Sequence, residues 1–197
     1  MATKIKQDFF KQNTIKTAQK LLGKILCVKK GRGVLRGVIV ETEAYRGQDD
    51  LACHASKGRT KRTETMYQKA GTVYVYLVYG MHYCLNIVTE KENYPSAVLI
   101  RAVIPILSPN AMSDIALGEE INGPGRVCRY FGIYKSFNNR NILGDKIWVE
   151  DWRVKIKPQN IIASKRIGVD YAKHCKDYLW RFNADIDLNS KKSKKAL

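Results

Sequence analysis

Two glutamates one residue apart, Glu41 and Glu43, stand in the run Val38-Ile39-Val40-Glu41-Thr42-Glu43-Ala44-Tyr45. In an extended strand, side chains alternate between faces, so Glu41, Glu43 and Tyr45 share one face and Val38, Val40, Thr42 and Ala44 the other. At ~3.3 Å per residue the two glutamate Cα atoms stand ~7 Å apart. One carboxylate can then act as a general base while a cation holds the other. The same pattern also describes a solvent-facing strand with ordinary exposed glutamates. Arg101 stands between Val98-Leu99-Ile100 and Ala102-Val103-Ile104, and a guanidinium inside so apolar a strand needs a partner. A carboxylate such as Glu43 supplies one, either for catalysis or as a structural ion pair.

Tyr74, Tyr76, Tyr79 and Tyr83 fall within ten residues. Flat rings stack on nucleic-acid bases at ~1–3 kcal/mol each, but tyrosines are also good strand formers whose rings half-bury, which is the reading for Tyr74 and Tyr83. Tyr79 adjoins the turn glycine Gly80 and is placed to wedge into a base stack. His54 lies in a polar loop, where it can stack or contact phosphate. Lysine and arginine number 35 against 18 acidic residues, a formal net charge of +17, and a polyanionic partner offsets that self-repulsion. Nucleic acid fits better than a membrane. No run approaches the ~20 apolar residues of a bilayer span, and Met1 to Lys20 lacks the hydrophobic region of a signal peptide, so an intracellular location is expected. The five cysteines are widely spaced with no Cys-x-x-Cys pair, which argues against structural zinc, disulfides or a metal cofactor.

These residues need elements to position them. Asp8 to Gly23 reads as one amphipathic helix, with Asn13 and Thr14 as candidate caps. Lys24 to Lys29 and Gly33 to Tyr45 read as two strands joined at Lys30-Gly31-Arg32-Gly33. Gln48 to Gly71 is a long basic loop, a common place for function. Thr72 to Thr89 forms a hairpin with Tyr79-Gly80-Met81-His82 at its tip, and Ser96 to Ile106 is a further strand. A short helix is expected near Arg126 to Phe131, with strands at Lys146 to Glu150 and near Arg166 to Val169. Lys191-Lys192-Ser193-Lys194-Lys195 has nothing apolar to bury, so residues 191–197 are expected to be a basic, disordered tail. With no repeat and no linker, residues 1–190 read as a single mixed α+β domain.

Taken in order, Val40-Glu41-Thr42-Glu43-Ala44-Tyr45, His54, Gly71-Thr72-Val73-Tyr74-Val75-Tyr76 with Tyr79-Gly80-Met81, Asn86 and Leu99-Ile100-Arg101-Ala102 resemble the alkyladenine (3-methyladenine, or methylpurine) DNA glycosylase family. Asn122-Gly123-Pro124-Gly125-Arg126-Val127-Cys128, Lys135-Ser136-Phe137, Arg166-Ile167-Gly168-Val169 and Trp180-Arg181-Phe182 extend the resemblance over nearly the whole chain. The resemblance implies a curved antiparallel sheet with a protruding, DNA-intercalating β-hairpin. It implies a monomeric, monofunctional glycosylase that needs no cofactor, acting on double-stranded DNA that contains damaged purines. It puts Glu43 at the position of the general base and Arg101 beside the attacking water. Tyr45, His54 and Tyr76 match the residues that sandwich a flipped base, Tyr79 the side chain that fills the gap, and Asn86 the asparagine that excludes normal guanine. One departure is the stretch Ser108 to Glu120, which holds Asp114, Glu119 and Glu120 and no basic residue. Two other readings fit the residues alone: a nucleic-acid-binding protein without activity, and a bifunctional glycosylase and lyase with a lysine nucleophile.

Overall fold

The computed structural model describes residues 2–108, 116–154 and 156–185. The basic tail at 191–197 and most of the acidic stretch after Ser108 lie outside the described residues. The strands are β1 (Thr3–Lys4), β2 (Ile25–Lys30), β3 (Gly33–Arg46), β4 (Val73–Val78), β5 (His82–Val88), β6 (Ser96–Ser108), β7 (Ala116–Leu117), β8 (Ile121–Asn122), β9 (Ile147–Asp151), β10 (Ile161–Ser164) and β11 (Arg181–Ala184). Two α-helices accompany them among the described residues, α1 (Thr14–Leu21) and α2 (Pro124–Phe131).

The main sheet runs β1-β9-β2-β3-β6-β5-β4, and the described pairings are antiparallel. β3 is its spine. One edge of β3 pairs with β6 from Gly37 to Arg46, and the other pairs first with β2 and then, from Glu41 to Glu43, with β11. Both helices pack on one face, where Ala18, Leu21, Val127 and Phe131 join Ile39, Ala44, Leu85, Ile100 and Val103 in the largest core cluster. Burying the valine, leucine, isoleucine and phenylalanine side chains among these stabilises the fold by roughly 1.5–3 kcal/mol each.

The β3–β6 ladder is irregular at one place. Ile39 pairs with Val103 and Glu41 with Ala102, then Thr42 with Ile100. Val40 and Arg101 are thus each left over, one in each strand. The two bulges cancel in register but change which way the strands face. Val38 and Val40 enter a second cluster with Trp148 and Trp152, whereas Ala44 joins the helix-side core and the Thr42 hydroxyl donates to the Ala18 carbonyl of α1. Simple alternation had put all four of these residues on one face; the bulge overturns that expectation.

Two other expectations need correction. The N-terminal helix is shorter than Asp8 to Gly23, because the Asn13 side chain accepts from the Ile15 and Lys16 amides and begins α1 there. Gln7–Phe9 forms only a separate 3-10 turn. Arg166 to Val169 is a loop, since its arginine turns into the interior and Gly168 takes a φ of 73°. The strand of that region is β10, and its pairing with β11 was not foreseen.

Candidate active site

A cleft of about 1000 Å³ opens on the face of the sheet away from α1. Tyr45, His54, Tyr76, Tyr79, Asn86 and Arg101, all singled out by sequence, line it, as do Ile167 and Tyr171, which were not. The long loop from Gly47 to Ala70 supplies one wall through two 3-10 turns, His54–Lys57 and Glu64–Tyr67.

Glu43 lies behind this lining and is fully buried. Its Oε2 accepts a 2.6 Å hydrogen bond from the Tyr45 hydroxyl. Its Oε1 accepts from the Ile167 amide at 2.9 Å and lies 3.5 Å from Arg101 Nε. A carboxylate offers about four lone-pair sites, so three donors leave room for a water proton. Burial pushes the Glu43 carboxyl above its ordinary value, against the pull of Arg101, the Tyr45 hydroxyl and the Ile167 amide. The same burial, with Glu43 alongside, holds the Tyr45 phenol well above its own ordinary value, so it remains a donor.

Glu41 has a different environment. Arg101 Nε and Arg181 Nη1 each stand 3.1 Å from its Oε1. The shorter ion pair of Arg101 is therefore with Glu41, not with Glu43 as expected. Two guanidiniums neutralise Glu41 and leave Glu43 as the carboxylate held mainly by neutral donors. Neither is an exposed strand-edge glutamate.

The aromatic wall is built from side chains that brace one another. His54 meets Tyr76 edge-on at 4.4 Å between ring centroids, and its Nδ1 stands 3.0 Å from the Tyr74 hydroxyl. Burial, helped by Arg62 and Lys57, lowers the His54 pKa to about 4, so the ring is neutral at pH 7. Asn86 is buried opposite Tyr74 on the hairpin, and its amide nitrogen donates to the carbonyls of Tyr74 and Cys84. Those two bonds fix its rotamer as part of the wall.

At the hairpin tip, Tyr79 and Gly80 both have positive φ, 50° and 69°, and the Met81 amide donates to the Val78 carbonyl. Two positive φ values in a row make a type I′ turn, which suits the twist of the flanking strands. A tyrosine there is strained, and this one is 88% exposed, beside Met81 at 71%.

A model of the family described as Methylpurine-DNA glycosylase (MPG) matches residues 8–187. The chain belongs to the methylpurine-DNA glycosylase family. It is a DNA glycosylase, a hydrolase of N-glycosyl bonds in DNA repair, and its substrate is DNA. A relative from Clostridium novyi is 43% identical over 192 residues, covering 91% of this chain and 94% of its own. One from Clostridium perfringens is 44% identical over 191 residues, covering 89% and 93%. One from Methanocella arvoryzae is 44% identical over 192 residues, covering 93% and 92%. All three carry the name 3-methyladenine DNA glycosylase as a provisional assignment. No helix among the described residues of this glycosylase is long and apolar enough to cross a membrane.

Sequence reasoning missed much of what surrounds the carboxylates. The Ile167 amide is a backbone group and carries no signal in residue type. Arg181 sits in a strand that was not recognised. Asp50 and Arg166, which form a buried pair with oxygen–nitrogen distances of 2.5 and 2.8 Å, are far apart in the chain. The alternation of polar and apolar residues over Arg181-Phe182-Asn183-Ala184 is the signal that could have found β11.

Proposed function

We propose that this glycosylase extrudes an alkylated or deaminated purine from duplex DNA into the cleft and hydrolyses its N-glycosidic bond with water activated by Glu43. The observation that carries the reading is a fully buried carboxylate directly behind an aromatic-walled cleft of about 1000 Å³, a volume at the upper end of small-ligand sites. Extrusion costs a few kcal/mol of lost pairing and stacking. Stacking of the base on Tyr45, His54 and Tyr76, with Tyr79 filling the vacated space, offsets that cost.

As the bond from C1′ to the purine nitrogen lengthens, positive charge develops on the deoxyribose and the leaving purine takes the bonding electrons. A carboxylate beside the sugar stabilises that charge and accepts the proton of the attacking water. Glu43 fills both roles, and Arg101 helps to hold the water. Methylated purines are electron-poor, so they leave readily and stack well on tyrosine faces. Asn86, unable to turn away, opposes the exocyclic amine of normal guanine. Among the described residues that line the cleft there is no lysine, which favours a monofunctional, water-based reaction over a Schiff-base lyase. We read the protein as a monomer on this duplex substrate.

Glu43→Gln tests the proposal directly. It should abolish release of methylated purine from duplex DNA while leaving binding to that duplex intact or tighter. Wild-type turnover by the variant would remove Glu43 from the reaction, and trapping of the wild type on DNA by borohydride would restore the lyase reading.

A further inference from the structure

Arg166 is buried behind the cleft, and both of its terminal nitrogens are doubly engaged. Nη1 donates to the Ala44 carbonyl at 2.9 Å and to Asp50 Oδ2 at 2.5 Å, and Nη2 donates to Asp50 Oδ1 at 2.8 Å and to the Cys175 carbonyl at 3.1 Å. Its guanidinium lies 4.8 Å from the centre of the Tyr45 ring and 5.2 Å from that of Trp180. Each contact bears on Glu43. Ala44 is the residue between Glu43 and Tyr45, Tyr45 donates its hydroxyl to Glu43, and Ile167, next in the chain after Arg166, donates its amide to the other carboxylate oxygen.

We infer that Arg166, locked by Asp50, is the positioning residue of the catalytic carboxylate: it fixes the Tyr45 ring from behind and the Ile167 amide from one residue away, and so aims Glu43 at the sugar. Arg166 touches neither base nor sugar. A planar guanidinium can grip a carboxylate at two points, reach two carbonyls and lie against a ring at once, which a lysine ammonium cannot. Without that grip two of the three donors to Glu43 lose their reference points, and a carboxylate that turns freely spends less of its time in line with the water. Both donors also favour the ionised form of Glu43, so their loss makes the base harder to ionise.

This inference rests on Glu43 being the base, and the test separates the two. Two variants are compared with the wild type: Arg166→Lys, which keeps a charge opposite Asp50, and the double variant Arg166→Met with Asp50→Asn, which leaves neither charge buried alone. Single-turnover release from duplex containing 7-methylguanine is measured across pH, together with affinity for a duplex carrying a tetrahydrofuran abasic site. Both variants should lose about tenfold or more in rate, corresponding to ~1.4 kcal/mol. The acid limb of their rate profile should move upward by about one pH unit, with affinity within about twofold of wild type. A wild-type rate and acid limb in either folded variant would overturn the inference, as would a loss of affinity equal to the loss of rate, which marks a role in the fold alone. Glu43→Gln is run alongside. If it retains turnover the base assignment fails; if it is inactive while the Arg166 variants match wild type, only the present inference fails.

Discussion

Acid should destabilise the fold through His54. Its ring is held in the pocket wall by Tyr76 and Tyr74, and its pKa is lowered from 6.5 to about 4, mainly by burial. Above pH 6.5 the ring is neutral in both the folded and unfolded chain and adds no pH dependence. Between 6.5 and 4 the unfolded chain binds a proton that the folded chain refuses, so stability falls as pH falls. From pH 7.5 to pH 5 the loss is about 2 kcal/mol, at ~1.4 kcal/mol per unit. For a chain of this size that lowers Tm by ~4–8 °C. His54→Gln stays neutral at every pH and can still meet the Tyr74 hydroxyl. Urea melts of both proteins at the two pH values therefore isolate the ring, because every other acid-sensitive group is common to both. The variant should be less stable at pH 7.5, and the gap should narrow by about 2 kcal/mol at pH 5. An unchanged gap would refute a neutral, wall-bound His54.

Other outcomes follow from the same geometry. Replacing Tyr79 by Ala removes one stack of ~1–3 kcal/mol and should slow base release roughly 5- to 150-fold, most for well-paired lesions, with a fluorescent base analogue reporting the loss of flipping; equal flipping would make Tyr79 a mere turn residue. Asn86→Ser should increase release of normal guanine from undamaged duplex, measured by chromatography of the freed base, and unchanged release would remove the exclusion role. Because burial raises the Glu43 carboxyl, single-turnover rate should fall as pH drops through a midpoint above the ordinary 4.5, and a midpoint at or below 4.5 would count against Glu43 as the titrating base.

The elements were legible where periodicity is strong. β2, β3, the β4–β5 hairpin, β6 and α2 stand close to their expected places because each combines an apolar pattern with a turn or cap signal. Of the residues lining the cleft, Tyr76, Tyr79 and His54 stood out by type and place in the chain, whereas Asn86 was assigned only through the family resemblance. What was not legible is pairing at a distance. Nothing in the local sequence says that Arg166 reaches back more than a hundred residues to Asp50, or that Arg101 bonds Glu41 more closely than Glu43. The second choice is made by the sheet, which brings β11, β3 and β6 side by side.

The paired bulges at Val40 and Arg101 mean that the spine strand is written in two reading frames. Read outward from Ile39, which lies beneath the helices, strict alternation would send Glu41, Glu43 and Tyr45 into the same apolar core. The single extra residue in each strand restarts the count just before the chemistry begins. Deleting Val40 alone would leave Glu41 next to Ile39, so that plain alternation places Glu41, Glu43 and Tyr45 on the cleft side, and it would cost the packing of Val40 with Trp148 and Trp152. Only the matched loss of Val40 and Arg101 would restore the ladder, and it would remove the cation as it did so. One of the two inserted residues is thus itself the cation that faces both carboxylates.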